Sequence, residues 1–210
     1  MGALSSSSED AASNIAKLAG ADAKEREEAA LALFRLGCAL AERVLMKWFA
    51  DADFRALVPR GGVLLTVGVA VQPATFEAIR VRFGKPQLAE VPPDQDVLEF
   101  ELSFAHGVRL DVMTPGTATG EGAIAKFLAR FGEGIQQVEC DVRDASRATE
   151  ILRQRFHLEP IYPEIRGGAN RTRVNFFLIP VAEDRKLLIE LVEPPQKLKT
   201  ANDVKRSKKG

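Results

Sequence analysis

Alternating apolar and polar residues predict several β-strands in the middle of the chain. The alternation is clearest from Leu98 to Phe104, where apolar residues would face one side and Glu99, Glu101 and Ser103 the other. The same alternation recurs in two further runs, residues 66–71 and 108–113. A sheet made from these strands would have one apolar face for helices to cover. Its other face would be concave and polar, which suits a ligand-binding cup.

The order of the predicted elements occurs twice. Residues 75–85 and 148–158 both predict a helix, and they share four identities in eleven at an offset of 73: Glu77 with Glu150, Arg80 with Arg153, Arg82 with Arg155 and Phe83 with Phe156. Each helix follows an apolar strand and precedes three strand-like runs. The predicted strands are 63–71, 87–91, 97–104 and 108–113 in the first copy, and 135–142, 158–162, 173–179 and 186–192 in the second. The pattern predicts an α+β fold in which two β-α-β-β-β modules, about 62–115 and 134–194, form an open cupped sheet.

Residues 1–60 predict a helical N-terminal extension to the domain of residues 62–194. Asp22 and Glu25 are typical of a helix N-cap and capping box. Apolar residues then recur at helical spacing: Ala29, Leu33, Leu36, Leu40, Val44 and Trp48, with Leu31, Phe34, Leu45 and Phe49 widening the stripe. Gly37 weakens the middle of this helix by about 1 kcal/mol relative to Ala. Two interpretations fit the stripe: the helix packs on its own domain, or residues 22–50 dock on a protein partner or a second copy.

Composition excludes some classes of protein and leaves others open. The charges balance at 29 basic and 29 acidic residues, so bulk charge does not indicate a nucleic-acid or membrane partner. No apolar run approaches the ~20 residues of a membrane span. Two cysteines are too few for a disulfide framework, and the first residues do not resemble a secretory signal. We therefore expect an intracellular, reducing compartment, with cytoplasm and mitochondrion or another organelle not distinguished.

Residues 195–210 predict a basic, flexible tail. Six basic residues fall between positions 197 and 209, with only Asp203 opposing them. A solvated tail is one interpretation. A contact with RNA or another phosphate through residues 197–209 is the other, although no aromatic residues interleave the charges.

Four short segments carry a resemblance to a known family. They are IAKFL at 124–128, GI at 134–135, RVNF at 173–176 and LIEL at 188–191. Together with the doubled β-α-β-β-β pattern, they resemble the vicinal oxygen chelate superfamily of glyoxalases and extradiol dioxygenases, and within it the methylmalonyl-CoA epimerases. The resemblance spans roughly residues 62–194.

The resemblance implies a position for each ligand of a metal ion. In that superfamily four side chains of the concave face bind one divalent ion: a His in the first strand of each module, and a Gln and a Glu in the last strands. The matching positions here are Thr66, Asp111, Gln137 and Glu190. Only Glu190 keeps the family's residue type, and both histidines are replaced.

The replaced histidines bear on which ion could bind. Imidazole nitrogen holds borderline ions such as zinc and cobalt, whereas oxygen ligands suit hard ions. The two histidines of the chain, His106 and His157, fall in a predicted hairpin turn and at a predicted helix end, away from the ligand positions. We therefore expect no cofactor, or a divalent Mg, Mn or Ca ion if the site is functional.

The resemblance also implies catalytic and substrate-binding positions. Glu99 and Glu190 match the pair of carboxylates that moves a proton next to a thioester carbonyl in the epimerases, and such a base needs a raised pKa. The acids Glu99, Glu101, Asp111 and Glu190 could raise one another's pKa by repulsion, or could form a solvated surface balanced by Arg109 and other arginines. The family's Gly-rich loop beside the substrate matches Gly167, Gly168, Asn170 and Arg171, which also fit a plain connecting loop.

Two functions follow from these expectations. The first is a divergent glyoxalase- or epimerase-like protein that has lost most metal ligands and serves as a non-catalytic subunit of a larger assembly, which could be organellar. The second is an active metal-dependent epimerase or glyoxalase-type lyase acting on a small acyl-CoA thioester or dicarbonyl compound. The sequence favours the first, because the lost ligands and the added terminal segments point the same way.

Overall fold

A computed structural model describes residues 2–117, 120–181 and 186–195, with the side chains of residues 2–8 left undescribed. The basic tail of residues 197–209 lies outside these ranges. The helices are α1 (Gly2–Leu18), α2 (Ala23–Ala50), α3 (Ala52–Arg55), α4 (Pro73–Arg82), α5 (Ala123–Phe131) and α6 (Ala145–Phe156). The strands are β1 (Leu65–Ala70), β2 (Val97–Ser103), β3 (Arg109–Pro115), β4 (Gly134–Asp141), β5 (Arg166–Gly167), β6 (Arg173–Pro180) and β7 (Lys186–Glu193). The predicted α+β class is confirmed.

The described strands form one mixed seven-stranded sheet in the order β2-β3-β1-β4-β7-β6-β5. In each module the first strand pairs in parallel with the last, β1 with β3 and β4 with β7. The two modules meet where β1 pairs antiparallel with β4. This symmetry places the first and last strands of both modules side by side at the middle of the sheet, under the cup.

Two predicted strands are not formed. Residues 87–91 and 158–162 are irregular, and each makes one backbone bond to a strand of the sheet. The Ala89 amide donates to the Glu99 carbonyl of β2, and the Ile161 amide donates to the Phe176 carbonyl of β6. Prolines explain the difference, since they have no amide to donate to a ladder. Pro86, Pro92 and Pro93 flank the first run, and Pro160 and Pro163 interrupt and end the second. The first module is therefore β-α-β-β, and the second strand of the second module is the short β5.

Helix α2 packs on the convex face of the sheet in its own chain. Its predicted N-cap is confirmed, because the Asp22 carboxylate accepts bonds from the amides of Lys24 and Glu25. The buried stripe of the helix is Ala29, Ala30, Leu33, Gly37, Ala41, Leu45 and Trp48. Trp48 contacts Phe177 of β6 at 6.2 Å between ring centroids. The helix therefore packs on its own domain, as in the first of the two interpretations. The exposed face of α2 is charged.

Gly37 of α2 lies close against Val67 of β1. A Cβ added there would stand 2.5 and 2.6 Å from the two γ carbons of Val67 in β1. The glycine that weakens the helix therefore allows helix and strand to pack closely.

Helix α5 lies on the other, concave face. Its Ile124 and Leu128 form a small buried cluster with Ala70 of β1 and Met113 of β3. This cluster closes one end of the concave face and leaves the polar remainder of that face open as a cup. Across the described ranges, no helix combines the length and apolar character needed to cross a membrane.

Candidate functional site: an acidic cup on the concave face

The concave face encloses a cavity of about 1100 Å³, and all four family ligand positions line it. Gly68 of β1 is in register with Asp111 on one side and with Gln137 on the other. Thr66 is in register with Glu139 of β4, which is in register with Glu190 of β7. The four predicted positions therefore converge on one hollow, as the resemblance implied.

Gln137 connects the acids of the second module. Its side-chain nitrogen donates to Oε2 of Glu190 at 2.9 Å and to Oε1 of Glu139 at 3.0 Å. Gln137 and Glu190 are both buried, and Glu190 is 9 % exposed. The Gln137 amide thus directs its hydrogens at two carboxyl groups.

Four acids of the cup share a raised pKa. Burial raises the pKa of Glu99 to about 7 and that of Glu139 to about 8, and the hydrogen bond from Gln137 partly opposes the second shift. Burial also raises the pKa of Asp111 and Glu190, and repulsion among Glu99, Glu139 and these two acids adds to it. The cup is therefore lined with carboxyl groups that hold protons near neutral pH.

One basic side chain reaches the cup beside these acids. Nη2 of Arg109 lies 3.5 Å from Oδ1 of Asp141, and its Nε donates to the carbonyl of Leu65 at 3.4 Å. Burial raises the pKa of Asp141, and Arg109 counteracts that shift. Arg109, which the sequence predicted to balance the acids of the cup, thus pairs with Asp141 at the edge of the acid cluster.

The second module supplies an apolar wall. Its side chains in the cavity lining are Ile161, Tyr162, Phe176, Leu178 and Leu188, and α5 adds Phe127 and Phe131. The rings of Tyr162 and Phe176 meet edge to face at 6.0 Å. Acids and apolar groups meet where Glu190 is in register with Phe176. The cup is therefore acidic on its floor and first-module side, and apolar on its second-module side.

The Gly-rich loop closes the mouth of the cup. The Asn170 side-chain oxygen accepts from the Glu90 amide at 3.1 Å, and the Asn170 amide donates to the Glu90 carbonyl at 3.0 Å. The side chain of Gln95 donates to the Gly167 carbonyl at 2.9 Å, and Arg166 is ion-paired with Asp94. These contacts join the loops at opposite edges of the sheet.

The predicted loop residues differ in their access to the cavity. Asn170 lines it, as does the neighbouring Ala169. Gly167, Gly168 and Arg171 are not among the described lining residues, and Arg171 instead lies 3.8 Å from the Glu90 carboxylate at the surface. Their predicted role in substrate binding stays a prediction.

Both histidines lie where the sequence predicted. His106 is in the turn between β2 and β3, and His157 ends α6 in the left-handed conformation. Both are exposed, and neither is among the described residues that line the cavity.

Glu139 and Gln136 are among the cup residues that the sequence did not predict. Glu139 shares the concave face with Gln137, and the period of two along β4 could have revealed it. Gln136 also lines the cavity, because a β-bulge places it between the residues in register with Gly68 and Val69. A bulge inserts one residue and breaks the alternation, so the pattern alone assigns Gln136 to the wrong face.

Comparison with solved structures supports the fold and its ancestry. Methylmalonyl-CoA epimerase from Mycobacterium tuberculosis is 32% identical over 62% of this chain and 86% of its own, with a TM-score of 0.51. A selenomethionyl methylmalonyl-CoA epimerase is 26% identical over 62% of this chain and 94% of its own, also at 0.51. A hypothetical protein from Bacillus halodurans, 23% identical over 65% of this chain and 97% of its own, shares the fold at 0.52. No protein family model matches the chain. No curated protein sequence matches it either.

Proposed function

Because the chain belongs to the vicinal oxygen chelate superfamily, we propose that it uses the superfamily's cup to bind a ligand without a transition metal and without metal-dependent epimerisation. The fold and the convergence of the four family positions are retained. What differs is the chemistry of the side chains at those positions. The protein is, on this proposal, a binding protein built on an epimerase fold.

The hydrogen bonding of Gln137 carries the proposal. A metal ligand must direct a lone pair at the ion, as a neutral imidazole does. An amide can offer a metal ion only its oxygen, whereas the Gln137 nitrogen has no lone pair to offer and donates to Glu139 and Glu190. Gln137 therefore does not replace the nitrogen ligand that an imidazole supplies. One of its two bonds also engages the Glu190 carboxyl, the one family ligand whose residue type is kept.

The remaining donors support the same conclusion. Thr66 offers a hydroxyl where the first family histidine would stand, and Asp111 offers a carboxyl whose pKa is raised by burial. Protons compete with metal ions for such carboxyl groups. Within residues 2–117, 120–181 and 186–195, no three His, Cys, Asp or Glu side chains form a group that could hold a metal ion. The residues therefore do not fit a zinc or cobalt centre.

Elemental analysis tests the proposal. The protein is purified without chelator from a medium containing zinc and cobalt, and bound metal is measured per chain. We expect well below one equivalent of any transition metal. A full equivalent that survives dialysis, and that Glu190→Gln removes, would overturn the proposal. Glu27→Gln, an exposed site on α2, is the matched control.

One observation favours the second candidate, an active isomerase or lyase. Glu99 and Glu190, which the resemblance matches to the family's acid and base, both line the cavity, and both have a raised pKa. A carboxyl with a pKa near neutrality can give and take a proton at a carbon acid.

Deuterium exchange separates the two candidates. Methylmalonyl-CoA is incubated with the protein in D₂O, with and without Mg²⁺, Mn²⁺ or Ca²⁺, and deuterium at the α-carbon is measured by mass spectrometry. The binding function predicts exchange at the rate of buffer alone. Enzyme-dependent exchange that is lost in both Glu99→Gln and Glu190→Gln would establish the second candidate instead.

We also propose that any protein partner of this chain meets the charged face of α2. The apolar stripe of the helix is buried against the sheet, which leaves Lys24, Glu28, Arg35, Glu42, Arg43 and Lys47 on the exposed side. The double variant Glu42→Lys and Arg43→Glu reverses the local pattern at constant net charge. In native extract the wild-type chain should elute well above its own 22.9 kDa and the variant should elute lower. Equal elution of the two would contradict this role for α2.

A further inference from the structure

We propose that the ligand of the cup is an organic cation, an amine that carries an apolar body. This inference rests on the proposed function, in which the cup binds a ligand without a transition metal. It is drawn from three features of the cavity: the unpaired Asp111, the clustered carboxyl groups of its floor and its uncovered apolar wall.

The cavity contains a carboxyl group that lacks a donor. Asp111 is 8 % exposed, lines the cavity, and has no hydrogen-bond or ion-pair partner among the residues that the structure describes. An unsatisfied buried polar group costs about 1–3 kcal/mol. The Asp111 oxygens can be satisfied by a ligand that brings N–H donors.

The carboxyl groups of the lining favour a cation on the floor of the cup. The acids there are Glu99, Asp111, Glu139 and Glu190. Two arginines of the lining are already engaged, Arg109 with Asp141 and Arg166 with Asp94. The lysines and the remaining arginine, Lys126, Arg130 and Lys186, are exposed and lie on α5 and at the first residue of β7. An ammonium group on the floor would bring N–H donors to these carboxyl oxygens, whereas a carboxylate or phosphate would bring only further acceptors.

The apolar wall is uncovered. Phe131, Ile161 and Leu178 are 42, 44 and 48 % exposed, and all three line this cavity. Aromatic faces attract cations as well as apolar groups, by about 0.5–2 kcal/mol for each well-placed ring. An apolar body resting on these side chains would remove them from water.

The strand register determines how such a ligand would lie. Glu190 is in register with Phe176, and Leu188 with Leu178, across β7 and β6. The boundary between acids and apolar groups therefore runs along β7. An ammonium group beside Glu190 and Asp111 would carry its apolar body over Phe176 and Leu178, so one molecule would satisfy both halves of the cup.

Calorimetry with three matched probes tests the inference. Phenethylamine, phenethyl alcohol and hydrocinnamate share an aromatic body but carry a positive, a neutral and a negative end. Each is titrated into the full chain in buffer with a chelator. We expect the amine to bind at least tenfold more tightly than the alcohol, and the acid to bind most weakly. An alcohol or acid that binds as tightly as the amine would overturn the inference.

Two variants test separately the contributions of the acidic floor and of the apolar wall to binding. Asp111→Asn should remove the preference for the amine while leaving the alcohol's affinity nearly unchanged. Leu178→Asn, at an exposed position that leaves the fold intact, should weaken the amine and the alcohol alike. Glu27→Gln on α2 should change nothing. Unchanged amine preference in Asp111→Asn, or unchanged affinities in Leu178→Asn, would contradict the inference.

The same samples separate failure of this inference from failure of the proposed function. A chain that holds no transition metal and binds none of the three probes would overturn the cationic ligand alone. A chain that holds a full equivalent of metal would overturn the proposed function, whatever the probes do.

Discussion

The side-chain nitrogen of Gln137 in β4 lies 2.9 Å from Oε2 of Glu190 in β7. The same nitrogen donates to Glu139. A single amide therefore supplies hydrogen bonds to two acids that would otherwise share the floor of the cup without a donor between them.

Replacing that amide should destabilise the protein. Gln137→Leu keeps a side chain of similar volume but leaves Glu139 and Glu190 without its two bonds, so we expect the free energy of unfolding to fall by about 1–3 kcal/mol. Urea denaturation followed by circular dichroism measures the change. Gln154→Leu on α6, where the amide is exposed and bonds Glu150, is the matched control and should change stability by less than about 0.5 kcal/mol. Equal losses in the two variants would refute the role of Gln137.

Removing one acid of the cluster should not destabilise the protein. Glu190→Gln deletes a buried group whose pKa is raised by desolvation and by Glu139 and Glu99. The neutral amide avoids the cost of ionising that group, so we expect the melting temperature at pH 8 to stay unchanged or to rise. Scanning calorimetry checks this result. A large fall would mean that Glu190 holds a favourable partner, such as a bound ion.

The stability of the metal-free protein should decrease as pH rises from 5 to 8. The pKa of Glu99 is raised from 4.5 to about 7 and that of Glu139 from 4.5 to about 8. Between these values the folded chain retains protons that the unfolded chain has released. The free energy of unfolding is therefore greatest below the ordinary pKa of 4.5. It decreases as the pH rises through the raised pKa of the folded chain, by about 1.4 kcal/mol per pH unit for each proton.

The variants Glu99→Gln and Glu139→Gln should each flatten this profile. Unfolding midpoints in urea at half-unit pH steps give the comparison. Glu27→Gln should retain the wild-type slope. A wild-type profile that rises from pH 5 to 8 would show that the acids are ionised and paired in the folded chain.

Gly37→Ala should destabilise the protein even though Ala favours helix. The added methyl group would stand 2.5 Å from a γ carbon of Val67, and overpacking of this kind costs about 1–3 kcal/mol. That cost exceeds the gain of about 1 kcal/mol in helix propensity. Chemical denaturation measures the difference. At the exposed position Ala39 of the same helix, Ala39→Gly should follow propensity alone and lose about 1 kcal/mol; a stabilised Gly37→Ala would refute the close packing.

The contact between Asn170 and Glu90 should control the mouth of the cup. Asn170 has a φ of 52°, a left-handed conformation that Asn and Gly tolerate better than Ala. Asn170→Ala loses the side-chain bond and strains the backbone, whereas Asn170→Gly loses only the bond. Hydrogen exchange at the Glu90 amide should therefore accelerate in both, and more in the Ala variant. No acceleration in either would mean that the loop is held by other contacts.

The sequence predicted the sheet well because alternation is a local property of each strand. The runs 97–104 and 108–113 appear as β2 and β3 within two residues of their predicted ends. The prediction was wrong at 87–91 and 158–162, where apolar residues suggested strands that the nearby prolines prevent from bonding fully. The prolines were readable in the sequence, and they should have outweighed the apolar pattern.

The cup was predicted in outline, and its details depend on contacts between distant residues. Thr66, Asp111, Gln137 and Glu190 meet as the resemblance implied. The bonds from Gln137 to its two acids required knowledge of side-chain direction, and the exposure of Gln136 to the cavity required a bulge. Gly37 has no side chain that could clash with Val67, which packs against it although it is thirty residues away in the sequence. The hydrophobic pattern of a strand or helix predicts which of its faces is buried. Which side chains touch across elements depends on tertiary packing.

Cobalt titration tests the central claim most directly, because a coordinated cobalt ion absorbs visible light in a way that reports its ligands. The wild-type chain is compared with the double variant Thr66→His and Gln137→His, which restores the family's imidazoles at two converging positions. The account predicts no saturable absorption in the wild type and one equivalent bound by the double variant. One equivalent bound by the wild type, or none by the folded double variant, would contradict it.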